Sequence, residues 1–228
     1  EPFHCGEPVL LACPLEQKYK LQPQRLAQAI NGKTRWLVLN NPGNPSGAVY
    51  SAAELTALAA VLRDHPHVWI MLDELYEHIL FDGREHVSLL QVAPDLADRI
   101  LLVGGVSKTY AMTGWRIGFG AGPQALIDAM VVVQSQNSSG ASAISQAAAV
   151  AAYEGGLEFL PPQRAAYQAR RDAIMTQLSQ VQGVEVLNPE GAFFIFCRCA
   201  GMLGKTRPDG RLLESEQDVL NYLLESGV

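Results

Sequence analysis

Between residues 35 and 154, short β-rich runs alternate with helical stretches, and no other feature narrows the fold as much. Parallel strands need a crossover between them, and a helix is the usual crossover. The alternation therefore predicts an α/β domain with a mostly parallel sheet. Strands are predicted over residues 35–40, 67–72, 99–105 and 117–122, the first of them buried. Helices are predicted from Ser51 onward, over 123–136 and over 141–153. Ser51 and Glu54 form an S-x-x-E capping box, and Leu55, Leu58 and Leu62 then share one helical face. Gly155-Gly156 and Pro161-Pro162 break the pattern and place a boundary near Gly155. Residues 1–155 thus read as a large domain and 156–228 as part of a smaller α+β unit. That unit has a long helix over 163–181 and a hairpin of 184–187 with 192–199, turning at Asn188-Pro189-Glu190-Gly191. A helix over 214–226 follows, with Gly227 as its C-cap.

At 228 residues, 48% hydrophobic and 18% charged, the chain has the material for a substantial core and lacks the composition of a disordered one. A net charge of −6 without any Lys/Arg run argues against a nucleic-acid surface. No apolar stretch reaches the length of a membrane span, and no signal-peptide pattern opens the chain. The four cysteines have neither CxxC spacing nor a zinc-spaced histidine. Buried free thiols in a reducing cytoplasm are therefore expected, with Cys197 and Cys199 on one face of a strand. His65 and His67 flank a proline ahead of a strand and read as loop residues; no metal site is expected.

In open α/β sheets, ligands collect at the carboxyl ends of the strands. Three predicted strands end in different polar groups. The first runs into Asn40-Asn41-Pro42-Gly43-Asn44-Pro45-Ser46-Gly47, the second into Asp73-Glu74-Leu75-Tyr76, and the third into Ser107-Lys108. Each alone has an ordinary reading, Asn-Pro as a turn and Asp as a helix N-cap. Together they put an amide, a carboxylate, a phenol and an amine on one rim. Lys108 is followed eight residues later by Arg116, across a glycine-broken and largely uncharged segment. Desolvation disfavours an ammonium, and a neutral lysine amine forms a Schiff base with an aldehyde. The arginine offers a planar fork for a phosphate. An aldehyde and a phosphate on one small molecule describe pyridoxal 5'-phosphate, PLP. The Gly118-x-Gly120-x-Gly122 run lacks the spacing of a dinucleotide loop.

These residues also carry a resemblance. Asn44-Pro45-Ser46-Gly47 looks like the N-P-[ST]-G loop of the aspartate aminotransferase family, the class I/II branch of the fold-type-I PLP enzymes. Asp73-x-x-Tyr76 is similar to its D-x-x-Y, and Ser107-Lys108 with Gly114-Trp115-Arg116 to its S-K-x5-G-W-R. The resemblance implies a three-layer αβα cofactor domain followed by the start of a small domain. It implies that Lys108 is the Schiff-base lysine and proton carrier, and that Asp73 pairs with the pyridine nitrogen. Tyr76 and Asn44 would donate to the cofactor's 3'-oxygen, and Arg116 would clamp the phosphate. Ser107 would add a hydroxyl there, although some relatives place that serine where Gly105 stands here. In family dimers Ser139 would reach the partner subunit's phosphate site. Asn137 falls where some relatives carry an arginine for the side-chain carboxylate of aspartate, which leaves substrate choice open.

The resemblance implies an aminotransferase exchanging an amino group between an amino acid and a 2-oxo acid, homodimeric when complete. The chain begins at Glu1 and stops at Val228, on the threshold of another strand. The family's N-terminal phosphate-binding segment and C-terminal carboxylate-binding arginine would lie beyond it, so weak cofactor binding is expected of these residues alone. A PLP-dependent lyase of the same fold is the alternative. So is the non-catalytic, aminotransferase-like sensor module of a transcription regulator, which a basic helix-turn-helix upstream would mark.

Overall fold

The computed structural model describes residues 6–227; Cys5 and the predicted strand threshold at Val228 lie outside the described residues. Helix α1 (Pro23–Ala29) opens on a proline, whose missing N–H costs nothing in a first turn. Then come β1 (Trp36–Asn40), α2 (Ala52–Arg63), β2 (Trp69–Asp73), α3 (Leu89–Val92), β3 (Ile100–Gly105), the single turn α4 (Val106–Thr109) and β4 (Gly118–Ala121). The sheet order is β1-β2-β3-β4, with the first three strands parallel and β4 antiparallel to β3. This is the expected α/β architecture, a mostly parallel sheet flanked by helices. Register pairs Asn40 with Asp73 and Asp73 with Val103, so β1 and β2 end level and β3 runs two residues further, to Gly105.

The Ser51 box caps α2 in both directions, and Leu55, Leu58 and Leu62 are buried in one cluster with Leu37, Leu39, Ile70 and Leu72. Each such leucine contributes about 1.5–3 kcal/mol on burial, which is what holds α2 to the sheet. The expectation that β1 is buried holds for that face only. Trp36 and Val38 stand on the opposite face, 42% and 59% exposed, with the Trp36 ring 5.8 Å from that of Trp69. A run of five apolar residues cannot by itself say whether one face or both are covered.

Helices α5 (Gln124–Asn137) and α6 (Ala143–Glu154) follow, with Tyr153 of α6 6.1 Å from Phe119 of β4, ring to ring. Helix α7 (Leu160–Leu178) starts earlier than predicted, because Pro161 and Pro162 fit its first turn rather than blocking it. The predicted hairpin shrinks to two residue pairs between β5 (Glu185–Val186) and β6 (Cys197–Arg198). Between them the backbone bonds elsewhere. The Glu190 and Gly191 N–H groups both donate to Gly47 O at 2.9 Å, Phe81 N–H to Glu190 O at 3.0 Å, and Ala192 N–H to Ile79 O at 2.9 Å. Helix α8 (Glu216–Glu225) closes the described chain, with Gly227 in the left-handed region at φ 81°.

The thiols differ from expectation. Cys13, Cys197 and Cys199 are free but only half-buried, and Cys199 lies past the end of β6. Burial still pushes the Cys13 and Cys197 thiols up, which keeps them protonated. His65 and His67 sit in the loop before β2, with His67 Nε2 3.1 Å from Asn31 O. No helix among the described residues is long and apolar enough to cross a membrane.

One arginine ties α7 to the earlier part of the chain. Arg171 donates both Nη groups to Asp82 at 2.7 Å, Nη1 to Pro189 O at 3.1 Å, and Nε to Asp172 at 2.8 Å. Its side chain is buried while that of Asp82 is 43% exposed, so water can replace part of what Asp82 would lose. Arg171→Met is accordingly expected to cost about 1.5–3 kcal/mol, the range for hydrogen bonds to charged groups. The Arg171 hydrogen bonds hold the Asp82 carboxyl below its ordinary value. A depressed folded value means the contribution is complete above the unfolded pKa and lost as pH falls through the folded one. Denaturant unfolding of parent and variant should therefore show the widest gap at neutral pH, narrowing below about pH 4.

Candidate active site

The loop after β1 is organised by its own asparagines. Asn40 donates Nδ2–H to Asp73 O at 3.0 Å, and its Oδ1 accepts from Asn44 N–H at 2.5 Å. Asn41 is buried and accepts from Tyr50 N–H while donating to Val87 O, both at 3.0 Å. Asparagine suits this place because one side chain both donates and accepts. The loop thereby carries Asn44 across to β2, where its Nδ2 lies 3.5 Å from the Tyr76 hydroxyl.

Asp73 is the last residue of β2, and its Oδ1 accepts from Leu75 N–H at 3.4 Å. Tyr76 is buried. Burial first, then the Asp73 charge, pushes its phenol up, and only the Asn44 hydrogen bond pulls the other way. The hydroxyl therefore stays protonated and available as a donor. Lys108 follows β3 on α4, with Nζ 5.5 Å from the Tyr76 ring centroid. Four sequence-predicted residues, Asn44, Asp73, Tyr76 and Lys108, thus lie at the carboxyl ends of three parallel strands.

The other three stand differently. Ser107 is half-buried beside Lys108 on α4. Arg116 is exposed at φ 51° and donates Nη1–H to Thr113 O at 2.9 Å; no hydrogen bond among the described residues joins it to the other four. Ser139 is exposed beyond α5 at φ 62°. Gly105 has a steric reason of its own. A Cβ there would lie 3.0 Å from Gly118 Cα and 3.2 Å from Ile117 O, so a serine would need β4 to give by a few tenths of an ångström.

Sequence reasoning missed an aromatic wall. Phe193 places its ring 5.6 Å from Lys108 Nζ and 5.4 Å from the Tyr76 ring, and it stacks on Tyr167 at 5.8 Å. Phe194 lies 5.7 Å from Tyr76. These residues come from the segment that replaced the expected strand. Nothing local marked them, because Phe-Phe between short apolar residues reads as a strand. Outside this group, one ligand atom from each of Glu74, Glu77 and His86 lies within 4.8 Å of the others.

An amine, a carboxylate, a protonated phenol and an amide on one edge match the polar atoms of a phenolic pyridine aldehyde. The donor set fits PLP. The comparison with known proteins agrees. The family model described as aminotransferase class I and II matches residues 4–228, and the chain belongs to that family. Its members generally depend on PLP.

The chain is 50% identical over 220 residues to the aspartate aminotransferase of Rhizobium meliloti strain 1021, covering 96% of this chain and 54% of that protein. It is 46% identical over 220 residues to the aspartate/prephenate aminotransferase of Cereibacter sphaeroides, covering 96% and 55%. The crystal structure of the Rhizobium meliloti aspartate aminotransferase matches with a TM-score of 0.93 at 49% identity, over 96% of this chain and 55% of that one. The chain spans about half the length of the relatives it matches.

Proposed function

We propose that this chain supplies the cofactor-holding part of a PLP-dependent aminotransferase that moves an amino group from an amino acid to a 2-oxo acid. The observation that carries the proposal is Lys108 Nζ held over Tyr76, on the same edge as Asp73 and Asn44. When bound, PLP supplies an electron-accepting ring that stabilises a carbanion at the substrate Cα. Lys108 would hold the aldehyde end of the cofactor, and its amine, once free, would move the proton at the substrate Cα. The Asp73 carboxylate holds a proton on the ring nitrogen. Tyr76 and Asn44 donate to the ring oxygen. Arg116 and Ser107 take the phosphate, with Ser139 from a second copy in a homodimer. Residues 1–155 form the cofactor domain in this reading and 156–228 open the small one.

Aspartate as amino donor is supported by the names of the relatives, against the Asn137 that stands where some carry a carboxylate-binding arginine. The free thiols of Cys13, Cys197 and Cys199 support a reducing, cytoplasmic location. A lyase of the same fold remains the second reading, since the motifs that match are shared.

The test is an absorbance scan of the chain with excess PLP, then borohydride reduction and peptide mapping. A pH-sensitive visible band with the label on Lys108 is expected; a label elsewhere defeats the proposal. Product analysis with aspartate and a 2-oxo acid then separates transfer from elimination. In the whole protein, Asp73→Asn is expected to keep the label on Lys108. It should slow the half-reaction by about 10²–10³, the range for removing one electrostatic stabiliser. An unchanged rate would remove Asp73 from its role.

A further inference from the structure

We propose that Glu74, Glu77 and His86, all in the segment that follows β2, form a divalent transition-metal site that clamps residues 74–86. The ligand atoms of the three side chains all lie within 4.8 Å of one another. Glu74 follows β2 and donates its N–H to Val103 O at 3.1 Å, which fixes its backbone to the sheet. Its side chain is only 6% exposed, and its carboxylate lies 3.2 Å from His86 Nε2.

Those two atoms are within ion-pair distance but not aligned for a hydrogen bond. Both ring nitrogens of His86 are shut off from solvent and have no hydrogen-bond partner. Buried polar nitrogens are normally paired; Nε2 has only the Glu74 carboxylate beside it and Nδ1 has no hydrogen-bond partner among the described residues, so the ring has a nitrogen to offer a ligand. The separation itself fits one. Ligand bonds of about 2.0–2.2 Å at a tetrahedral angle put neighbouring N and O ligands roughly 3.3 Å apart. A contact of 3.2 Å without hydrogen-bond alignment has the length of that ligand–ligand edge.

Glu77 brings the second carboxylate. Its side chain is 39% exposed, which gives a path from solvent and leaves room for a water as fourth ligand. His78 Nε2, 3.6 Å from Glu77 Oε1, stands at the rim as an orienting partner. The nearby cation is Arg164, whose Nε–H donates to His78 O at 2.6 Å. Two carboxylates and an imidazole suit zinc(II) or a neighbouring divalent ion of the first transition row. Tyr76 lies between Glu74 and Glu77 in sequence and faces Lys108 instead, so the ion would hold its backbone without touching the reacting edge. The inference does not rest on the proposed transfer reaction.

The test is zinc(II) titration of the metal-stripped chain against a chromophoric chelator, with thermal unfolding followed in parallel. One equivalent of saturable binding is expected, with a rise in Tm that grows with free zinc. Glu77→Gln and His86→Asn should each weaken it at least about tenfold, as loss of a ligand or its support does. Glu77 is half-exposed, so E77Q keeps the fold and decides the matter even where H86N unfolds. Absence of saturable binding overturns the proposal. So does binding that survives E77Q, or binding that Cys197→Ser and Cys199→Ser abolish instead.

Discussion

Lys108→Ala is expected to abolish the borohydride-fixed PLP label and leave the fold intact. The chain holds five lysines, so the site of labelling is unambiguous. Lys18, Lys33 and Lys205 are exposed. Lys20 is buried but committed, with Nζ 3.0 Å from Glu54 and 3.4 Å from Glu190. Only Lys108 sits half-buried between aromatic rings at the sheet's carboxyl edge. The variant loses the Nζ contacts with the Tyr76 and Phe193 rings, so its unfolding should stay within about 1–2 kcal/mol of the parent. In the whole protein, transfer should fall by about 10²–10⁴ or more, the contribution of a positioned proton carrier. A stoichiometric label on the Lys108→Ala chain would sink the assignment.

Gly47→Ala is expected to be the most destabilising small substitution near the site. Gly47 closes the Asn44-Pro45-Ser46-Gly47 loop at φ +66°, and its carbonyl accepts from both Glu190 and Gly191. A left-handed backbone costs an L side chain about 1–2 kcal/mol. A Cβ would also lie 2.5 Å from Pro189 Cβ and 2.8 Å from Gly191 O, and backbone cannot swing aside as a side-chain tip can. Overpacking of that kind costs about 1–3 kcal/mol more. The total, about 2–5 kcal/mol, should lower Tm by about 4–20 °C in a chain of this size. Gly83→Ala is the control. Gly83 has φ +69° with nothing within 4 Å, so it carries the backbone cost alone. Equal Tm losses for the two variants would show that the 189–191 segment does not press on Gly47. A larger loss at Gly47 should also loosen Phe193 over Lys108, because Gly191 and Phe193 are two residues apart.

What could be read from the chain was local. Ser51 and Glu54 cap α2 because the box is complete within four residues. Leu55, Leu58 and Leu62 are buried because helical periodicity needs no distant information. Asn44, Asp73, Tyr76 and Lys108 were legible as a site because each follows a parallel strand, and parallel strands bring their carboxyl ends together. What only the tertiary structure decided was which distant segment lies against that edge. The sequence 188–196 has good hairpin character, and a two-stranded ladder was the local answer. Glu190 and Gly191 found Gly47 instead, and Ala192 found Ile79, more than a hundred residues earlier. Those bonds put Phe193 over Lys108, a placement no local pattern encodes. The same holds for His86 beside Glu74 and for one exposed face of β1. Partners brought together across the fold are chosen by competition among all the surfaces and hydrogen-bonding groups that the chain must satisfy at once.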